Sequence, residues 1–199
     1  MQKSATTIIS SCTIKSGETT ALADCTTIDL SRGTQLILTV KATYNSAATS
    51  GLAVYLYTST DDSVYTDKWW DDWTVQNCRQ VGFTSGNYEW MPNETVAAAA
   101  GGEGTVSGWT LDSGTWAGGD AAGDLYLENI SGTFTTTQAL TGGTSSCSAI
   151  QNGDITAHAI TRTYYASCVS PLYIRCRIHN LDTGYDITSA SLISVKQTL

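Results

Sequence analysis

The sequence predicts an all-β protein: an antiparallel β-sandwich of jelly-roll-like type, interrupted by an inserted, small β-barrel-like domain. Charged residues make up only 14 % of its 199 residues, with two prolines and two methionines, and Thr, Ser and Gly are abundant. Such a composition favours strands over helices. Several runs alternate apolar and polar residues, and none repeats at the 3.6-residue period of a helix. The length accommodates one large sandwich, or a smaller core plus a second domain.

Alternating runs on both sides of the chain's centre predict the sandwich strands. In residues 35–44, one face collects the apolar side chains of Leu36, Leu38, Val40, Ala42 and Tyr44. Residues 52–57 alternate in the same way and lead into a turn at 59–63. Residues 172–180 and 187–195 form a closing hairpin around the turn NLDTGY. In the first of these two strands, a buried face is predicted for Leu172, Ile174, Cys176 and Ile178.

The inserted domain is predicted from the distribution of charge. Residues 80–161 contain eight acidic residues and no Lys or Arg. A charge break at both ends with glycine-rich tracts between them is typical of an insertion. We therefore predict a sandwich over 1–85 and 154–199, and an acidic, Gly-rich domain over 86–153. Within the latter, GTWAGGDAAG at 114–123 is predicted to be a wide turn between two strands of a hairpin, with glycines at positive φ.

Several function classes are disfavoured. A net charge of −8 argues against nucleic acid, which requires a basic surface. The absence of a long apolar run argues against a membrane partner, and the N-terminus lacks the apolar core of a secretory signal, so we expect synthesis in a cytoplasm. No GxSxG motif occurs, and His158 and His179 lie in no nucleophile motif, so we expect no enzyme activity and no cofactor.

The six cysteines contain no CxxC pair, so a metal site is not predicted. In a reducing compartment, buried thiols are commoner than bridges. If bridges form after release from the cell, Cys12–Cys25 and Cys168–Cys176 are the local candidates among several connectivities. Cys176 is expected to be a thiol packed in the core.

The segment DDSVYTDKWWDDW, residues 61–73, is the sharpest candidate site. Its aromatic residues are Tyr65, Trp69, Trp70 and Trp73, among five aspartates. Three interpretations stay open: packing under the inserted domain or in a subunit interface, where Trp and Tyr are enriched; glycan binding by ring stacking beside carboxylates; and Ca²⁺ binding, although the EF-hand spacing is absent. Glycan hydrolysis would need a carboxylate pair from Asp61 or Asp62 with Asp71 or Asp72.

A second candidate contact is the row of Arg175, Arg177 and His179, which alternates with the buried face of its strand. The row is expected to be solvated or to face an interface. In the functional interpretation, it contacts an anionic partner surface, for example the acidic domain of a neighbouring copy.

Residues 104–143, GTVSGWTLDSGTWAGGDAAGDLYLENISGTFTTTQALTGG, resemble a module that recurs in structural proteins of tailed bacteriophages. The flanks are similar to a β-sandwich of the same proteins, through IDLS at 28–31, KATY at 41–44, YLYTS at 55–59 and NLDTG at 180–184. One departure lies after Tyr57, where the usual turn carries Asp-Gly and this chain has Asp61-Asp62.

The resemblance implies a virion component: a tail, neck or baseplate appendage, or a capsid decoration protein. Its implied partners are other copies, as a trimer or hexamer, and other virion proteins, and it supplies no catalytic residue. The alternative is a carbohydrate-binding module that attaches a virion or an enzyme to a surface polysaccharide.

Overall fold

A computed structural model describes residues 2–31, 33–166 and 172–198. These residues are almost entirely β-structure, with one 3₁₀ turn at Leu22–Asp24. The strands, numbered along the chain, are β1 (Gln2–Ile14), β2 (Ile28–Asp29), β3 (Gly33–Tyr44), β4 (Leu52–Ser59), β5 (Asp71–Val75), β6 (Arg79–Gly86), β7 (Thr95–Ala98), β8 (Glu103–Ser113), β9 (Ala121–Ser131), β10 (Ala139–Gly142), β11 (Ser148–Gln151), β12 (Thr156–Ala157), β13 (Ile160–Ala166), β14 (Tyr173–Asn180) and β15 (Ile187–Thr198).

The chain divides into two compact units, one of residues 1–75 with 159–199 and one of residues 76–158. The predicted insertion at 86–153 lies inside the second unit, which begins ahead of β6 and ends after β12. The predicted boundary after residue 85 assigns all of β6 except Gly86 to the sandwich. In the structure its neighbours are β9, β11 and β12, so it belongs to the second unit.

The first unit is a sandwich of two four-stranded antiparallel sheets, ordered β1-β15-β3-β13 and β2-β14-β4-β5. Counting only this unit's eight strands along the chain, the orders are 1-8-3-6 and 2-7-4-5. This is the jelly-roll arrangement, in which two Greek keys wrap into facing sheets. The all-β, jelly-roll-like prediction is thus confirmed.

The core of this unit follows the predicted alternation. The five apolar residues predicted on one face of β3 are all buried, and so are Ile174, Cys176 and Ile178 on β14. Leu172 was wrongly placed with them: it precedes β14 and is 42 % exposed. On β4, Ala53 and Tyr57 of the opposite face are also buried, and the Arg177 guanidinium lies over the Tyr57 ring.

Cys12 and Cys25 are both free thiols, so the candidate Cys12–Cys25 bridge is not formed. Cys25 instead lies beside Cys176, whose backbone N–H donates to its sulfur at 3.1 Å. Hydrogen bonding to Cys25 and complete burial raise the pKa of the Cys176 thiol. Cys168, of the other candidate bridge, lies outside the described residues.

The turn between β14 and β15 is organised by one buried carboxylate. Oδ2 of Asp182 accepts the backbone N–H groups of Thr49 and Ser50, and Oδ1 accepts those of Gly184 and Tyr185, all at 2.8–3.0 Å. Burial alone would raise the pKa of Asp182, but these four hydrogen bonds outweigh it and lower the pKa. The predicted NLDTGY turn therefore also fixes the loop before β4, through the hydrogen bonds of Asp182 to Thr49 and Ser50.

The second unit is an antiparallel barrel. The order β11-β10-β7-β8-β9-β6-β12 is closed by pairing of β11 with β6. At this seam the N–H of Asn152 donates to the carbonyl of Gly82 at 2.8 Å, and a Cβ on Gly82 would lie 2.3 Å from the Asn152 oxygen. Glycine is therefore required at position 82 for the close approach of these two backbone segments. The small β-barrel-like domain predicted from the sequence is present.

Residues 114–120 of the motif GTWAGGDAAG connect β8 to β9, as predicted, and its last three residues begin β9. Gly114 has a φ of 73°, and a Cβ there would lie 2.2 Å from the carbonyl oxygen of Asp120. Trp116 stacks on Phe83, with ring centroids 5.4 Å apart. The motif is therefore a structural turn that returns a tryptophan to the barrel core.

A buried carboxylate also organises the barrel. Glu94 is 4 % exposed and accepts the backbone N–H groups of Met91, Thr144 and Ser145. Burial opposes its ionisation, yet these hydrogen bonds bring the pKa of Glu94 below its ordinary value.

Candidate functional site

Apart from Trp73, the predicted site residues gather on and around one face of the sheet β2-β14-β4-β5. Arg175 and Arg177 of β14 lie opposite Tyr57 and Tyr55 of β4, so their side chains share the face that points away from the sandwich core. Residues 60–70, which connect β4 to β5, supply Tyr65, Trp69 and Trp70. We call residues 60–70 the aromatic loop.

The Asp61 carboxylate stabilises the turn at the start of the aromatic loop. Its carboxylate accepts the N–H groups of Ser63 and Val64 and the hydroxyls of Ser59 and Ser63. These bonds, led by that of the Ser63 hydroxyl, hold the pKa of Asp61 far below its usual range. The carboxylate is therefore occupied by its own turn.

The departure from the Asp-Gly turn is accommodated at Asp62. This residue has a φ of 61°, a conformation that glycine adopts freely and that aspartate tolerates better than most residues. Its side chain then makes contacts that glycine could not.

Asp62 joins the aromatic loop to β14. Its Oδ1 accepts hydrogen bonds from the hydroxyls of Tyr65 and Thr27 and lies 3.5 Å from a guanidinium nitrogen of Arg175. The same guanidinium lies 5.0 Å from the centre of the Tyr65 ring and donates from Nε to Thr27. The Tyr65 hydroxyl leads in lowering the pKa of Asp62, which stays ionised at neutral pH. Arg175 is thus engaged within the chain.

The other two members of the predicted row are also engaged. The Arg177 guanidinium lies 5.2 Å from the centre of the Tyr57 ring. His179 shares a hydrogen bond of 2.8 Å between Nδ1 and the Thr19 hydroxyl, and its ring stacks on Tyr55. All three are half-buried, and the expected contact of this row with a partner surface stays a prediction.

Trp69 completes a stack on this face. Its ring lies 4.6 Å from that of Tyr55, centroid to centroid, and Tyr55 in turn stacks on His179 at 6.1 Å. One indole face is covered by Tyr55, while the residue as a whole is 49 % exposed.

Trp73 is separated from this group. It lies on β5 opposite the buried Val54 and stacks on Tyr164 of β13, with centroids 5.5 Å apart. The Tyr164 hydroxyl donates to Asp71 at 2.6 Å. This hydrogen bond, followed by burial, raises the pKa of Tyr164 to about 12. Trp73 is therefore a packing residue that links the edges of the two sheets.

A cleft of about 440 Å³ opens beside the aromatic loop. Its aromatic walls are Tyr65 and Trp70, its polar lining comes from hydroxyl-bearing residues at the end of β4 and in the loop, and Val64 adds an exposed apolar group. The position of Trp70 is fixed by its backbone N–H, which donates to the Leu56 carbonyl at 2.8 Å. Trp69, Trp73, Arg177 and His179 do not line it.

Sequence reasoning found the aromatic walls of this cleft and missed its polar lining. Thr58, Thr60 and Thr66 stand among many other threonines, and no spacing singles them out. The one available signal is that Thr58 and Thr66 bracket the acidic turn, and they pair through backbone hydrogen bonding in the structure. No cluster of three or more His, Cys, Asp or Glu suited to a metal occurs within the described ranges, and no helix there is long and apolar enough to cross a bilayer.

No protein-family model matches the chain, and no curated protein matches it in sequence. Among solved structures, the chain is similar at a TM-score of 0.24 and 11 % identity to the crystal structure of the infectious bursal disease virus VP2 subviral particle. The match covers all of this chain and 41 % of that one. A TM-score this low supports no conclusion about the fold. The jelly-roll assignment therefore rests on the strand order of this chain.

Proposed function

We propose that this protein is a non-enzymatic structural component of a tailed phage particle, an accessory tail, neck or baseplate protein or a capsid decoration protein. Its work is to associate with copies of itself and to dock on other virion proteins. The jelly-roll strand order supports this proposal, because viral capsid domains are among the main users of that architecture. Lectin domains and cupins share this architecture. Binding sites and exposed strand edges must therefore distinguish between these functions.

The observation that carries the proposal is the open edge of β1. β1 is the outermost strand of its sheet, and Lys3 to Thr7 are all exposed. The pairing with β15 is regular over this part and shifts register only after Thr7. Residues 4–7 of this edge carry no charge, no proline and no bulge, which are the usual devices against pairing with another chain.

The opposite edge of the same sheet is formed by β13, which presents Tyr165 at 65 % exposure. Tyrosine is enriched in interfaces because it combines a large apolar ring with a polar end. A sheet with two usable edges can join neighbouring copies into a closed, symmetric oligomer. In this proposal, the protein is located in the phage particle.

The test is the molar mass of the purified chain by light scattering, with and without reducing agent. We expect a discrete oligomer, a trimer or hexamer, that persists under reduction, because the interface consists of backbone hydrogen bonds and packing. Ala5→Lys places a charge in the β1 edge and should shift the chain to monomer. Ala47→Lys is the matched control, since Ala47 is an exposed turn residue away from the edges.

A monomer at all accessible concentrations, or equal masses for Ala5→Lys and the unmodified oligomer, would overturn the proposed edge pairing. Turnover of a substrate that a single aspartate substitution abolishes would overturn the non-enzymatic assignment.

A further inference from the structure

We propose that the cleft beside the aromatic loop is a binding site for a neutral saccharide, with Trp70 as its stacking platform. This goes beyond the structural role proposed above. It also assigns residues that the sequence pattern did not distinguish from their neighbours.

The cleft has the size and the mixed lining of a small-molecule site. Its volume of about 440 Å³ falls within the range of roughly 300–1,000 Å³ typical of ligand pockets. Such pockets combine apolar and aromatic walls with a few polar groups that fix orientation. Here the apolar part is formed by Trp70, Tyr65 and Val64.

The polar part consists of hydroxyl groups. Thr58, Ser59, Thr60 and Thr66 all line the cleft. A hydroxyl both donates and accepts hydrogen bonds, so it can pair with a sugar hydroxyl in either orientation. Within the described residues, the side-chain hydroxyls of Thr58 and Thr60 have no hydrogen-bond partner and are available to a ligand.

The lining predicts a neutral ligand, because none of its residues is charged. The carboxylates that follow Thr60 in the sequence are engaged elsewhere: Asp61 accepts four hydrogen bonds inside its own turn, and Asp62 is paired with Tyr65, Thr27 and Arg175. A charged ligand would lose hydration without gaining an opposite charge. A pyranose presents an apolar C–H face to an indole ring and a rim of hydroxyls to the threonines, and it matches both parts.

The two adjacent tryptophans provide a matched comparison. Trp69 and Trp70 are exposed to nearly the same degree, 49 % and 45 %. One face of Trp69 is already covered by Tyr55, whereas Trp70 lines the cleft. A saccharide in the cleft must therefore depend on Trp70 and not on Trp69.

The experiment is a printed array of neutral hexose and N-acetylhexosamine oligosaccharides, with sialylated and sulfated members included, followed by calorimetric titration of the tightest binder. We expect neutral members to bind. Trp70→Ala should weaken binding by about tenfold or more, as truncation of an aromatic anchor does. Trp70→Phe, which keeps a ring, should lose less, and Trp69→Ala should bind like the unmodified chain.

Thr60→Val separates loss of binding from misfolding. The substitution replaces the hydroxyl of an exposed residue by a methyl group, so it should weaken binding while leaving the circular dichroism spectrum unchanged. The inference is overturned if no neutral glycan binds, if only charged glycans bind, or if Trp69→Ala abolishes binding and Trp70→Ala does not. The Ala5→Lys chain should bind the same glycan with equal affinity, so failure of either proposal is visible without the other.

Discussion

Replacement of Asp182 by Asn should destabilise the jelly roll specifically, because one carboxylate serves two loops. Each of its oxygens accepts two backbone N–H groups, and the residue is 4 % exposed. An asparagine side chain keeps one oxygen and places an NH₂ group where the other was. Two N–H donors therefore lose their acceptor and face another donor.

The magnitude follows from that count. A buried donor left unsatisfied costs about 1–3 kcal/mol, and partial access of water to the loops favours the lower half of the range. Two such donors give a loss of about 2–4 kcal/mol in the free energy of unfolding of this unit. The shift should be absent for Asp67→Asn, since Asp67 is exposed in the aromatic loop.

The pH dependence supplies a second test. The pKa of Asp182 is lower in the folded chain than in the unfolded chain, where it is about 3.9. Its stabilising contribution is therefore complete at neutral pH and is lost as the pH falls through the folded pKa. The difference between the unmodified chain and Asp182→Asn should be largest near pH 7 and shrink below about pH 4.

The assay is urea denaturation followed by pulsed hydrogen exchange and mass spectrometry, which reports the two units separately. Peptides of the jelly roll should show the earlier midpoint in Asp182→Asn. An unchanged midpoint at pH 7, or a difference that grows in acid, would refute the assignment of the carboxylate as a negatively charged hydrogen-bond acceptor.

Three further variants test the barrel and the sheet edge. Glu94→Gln should lower the stability of barrel peptides by about 1–2 kcal/mol in the same assay, because an amide oxygen in place of Oε2 keeps two backbone N–H donors and leaves that of Met91 unsatisfied. Gly82→Ala should destabilise the barrel by about 1–3 kcal/mol through its clash at the seam, while Gly108→Ala, whose Cβ would meet nothing closer than 3.7 Å, should not. Tyr164→Phe should remove one group titrating near pH 12 from the ultraviolet titration of tyrosine, and an unchanged titration would contradict its bond to Asp71.

The fold was largely predictable because the alternation of apolar and polar residues indicates which face of a strand is buried. The face of β3 that carries Leu36 to Tyr44 is buried as expected, since a half-buried strand must separate apolar from polar side chains. The barrel was predictable from its glycines and its charge break. Strand pairing was not predictable, because β6 alternates like a sandwich strand and only its partners place it in the barrel.

The site was predictable in residue type and not in arrangement. The aromatic loop was identified from its tryptophans, yet Trp69, Trp70 and Trp73 lie in three different environments. Arg175 is predicted to be solvated or to face an interface, and in the structure it pairs with Asp62 of the aromatic loop, which is distant from β14 in sequence. Such pairings depend on register, which short local patterns do not specify.

The division of charge between the two units bears on how such a chain could assemble. The barrel unit contains eight carboxylates and a single arginine, Arg79, and so carries seven of the eight net negative charges. The jelly roll, with ten acidic and nine basic residues, is close to neutral. If copies pair through the β1 edge as proposed, the near-neutral unit adds little charge repulsion to that contact, and the excess negative charge of the barrel unit would oppose further aggregation. Under that proposal, the first unit would supply attachment and the second unit solubility.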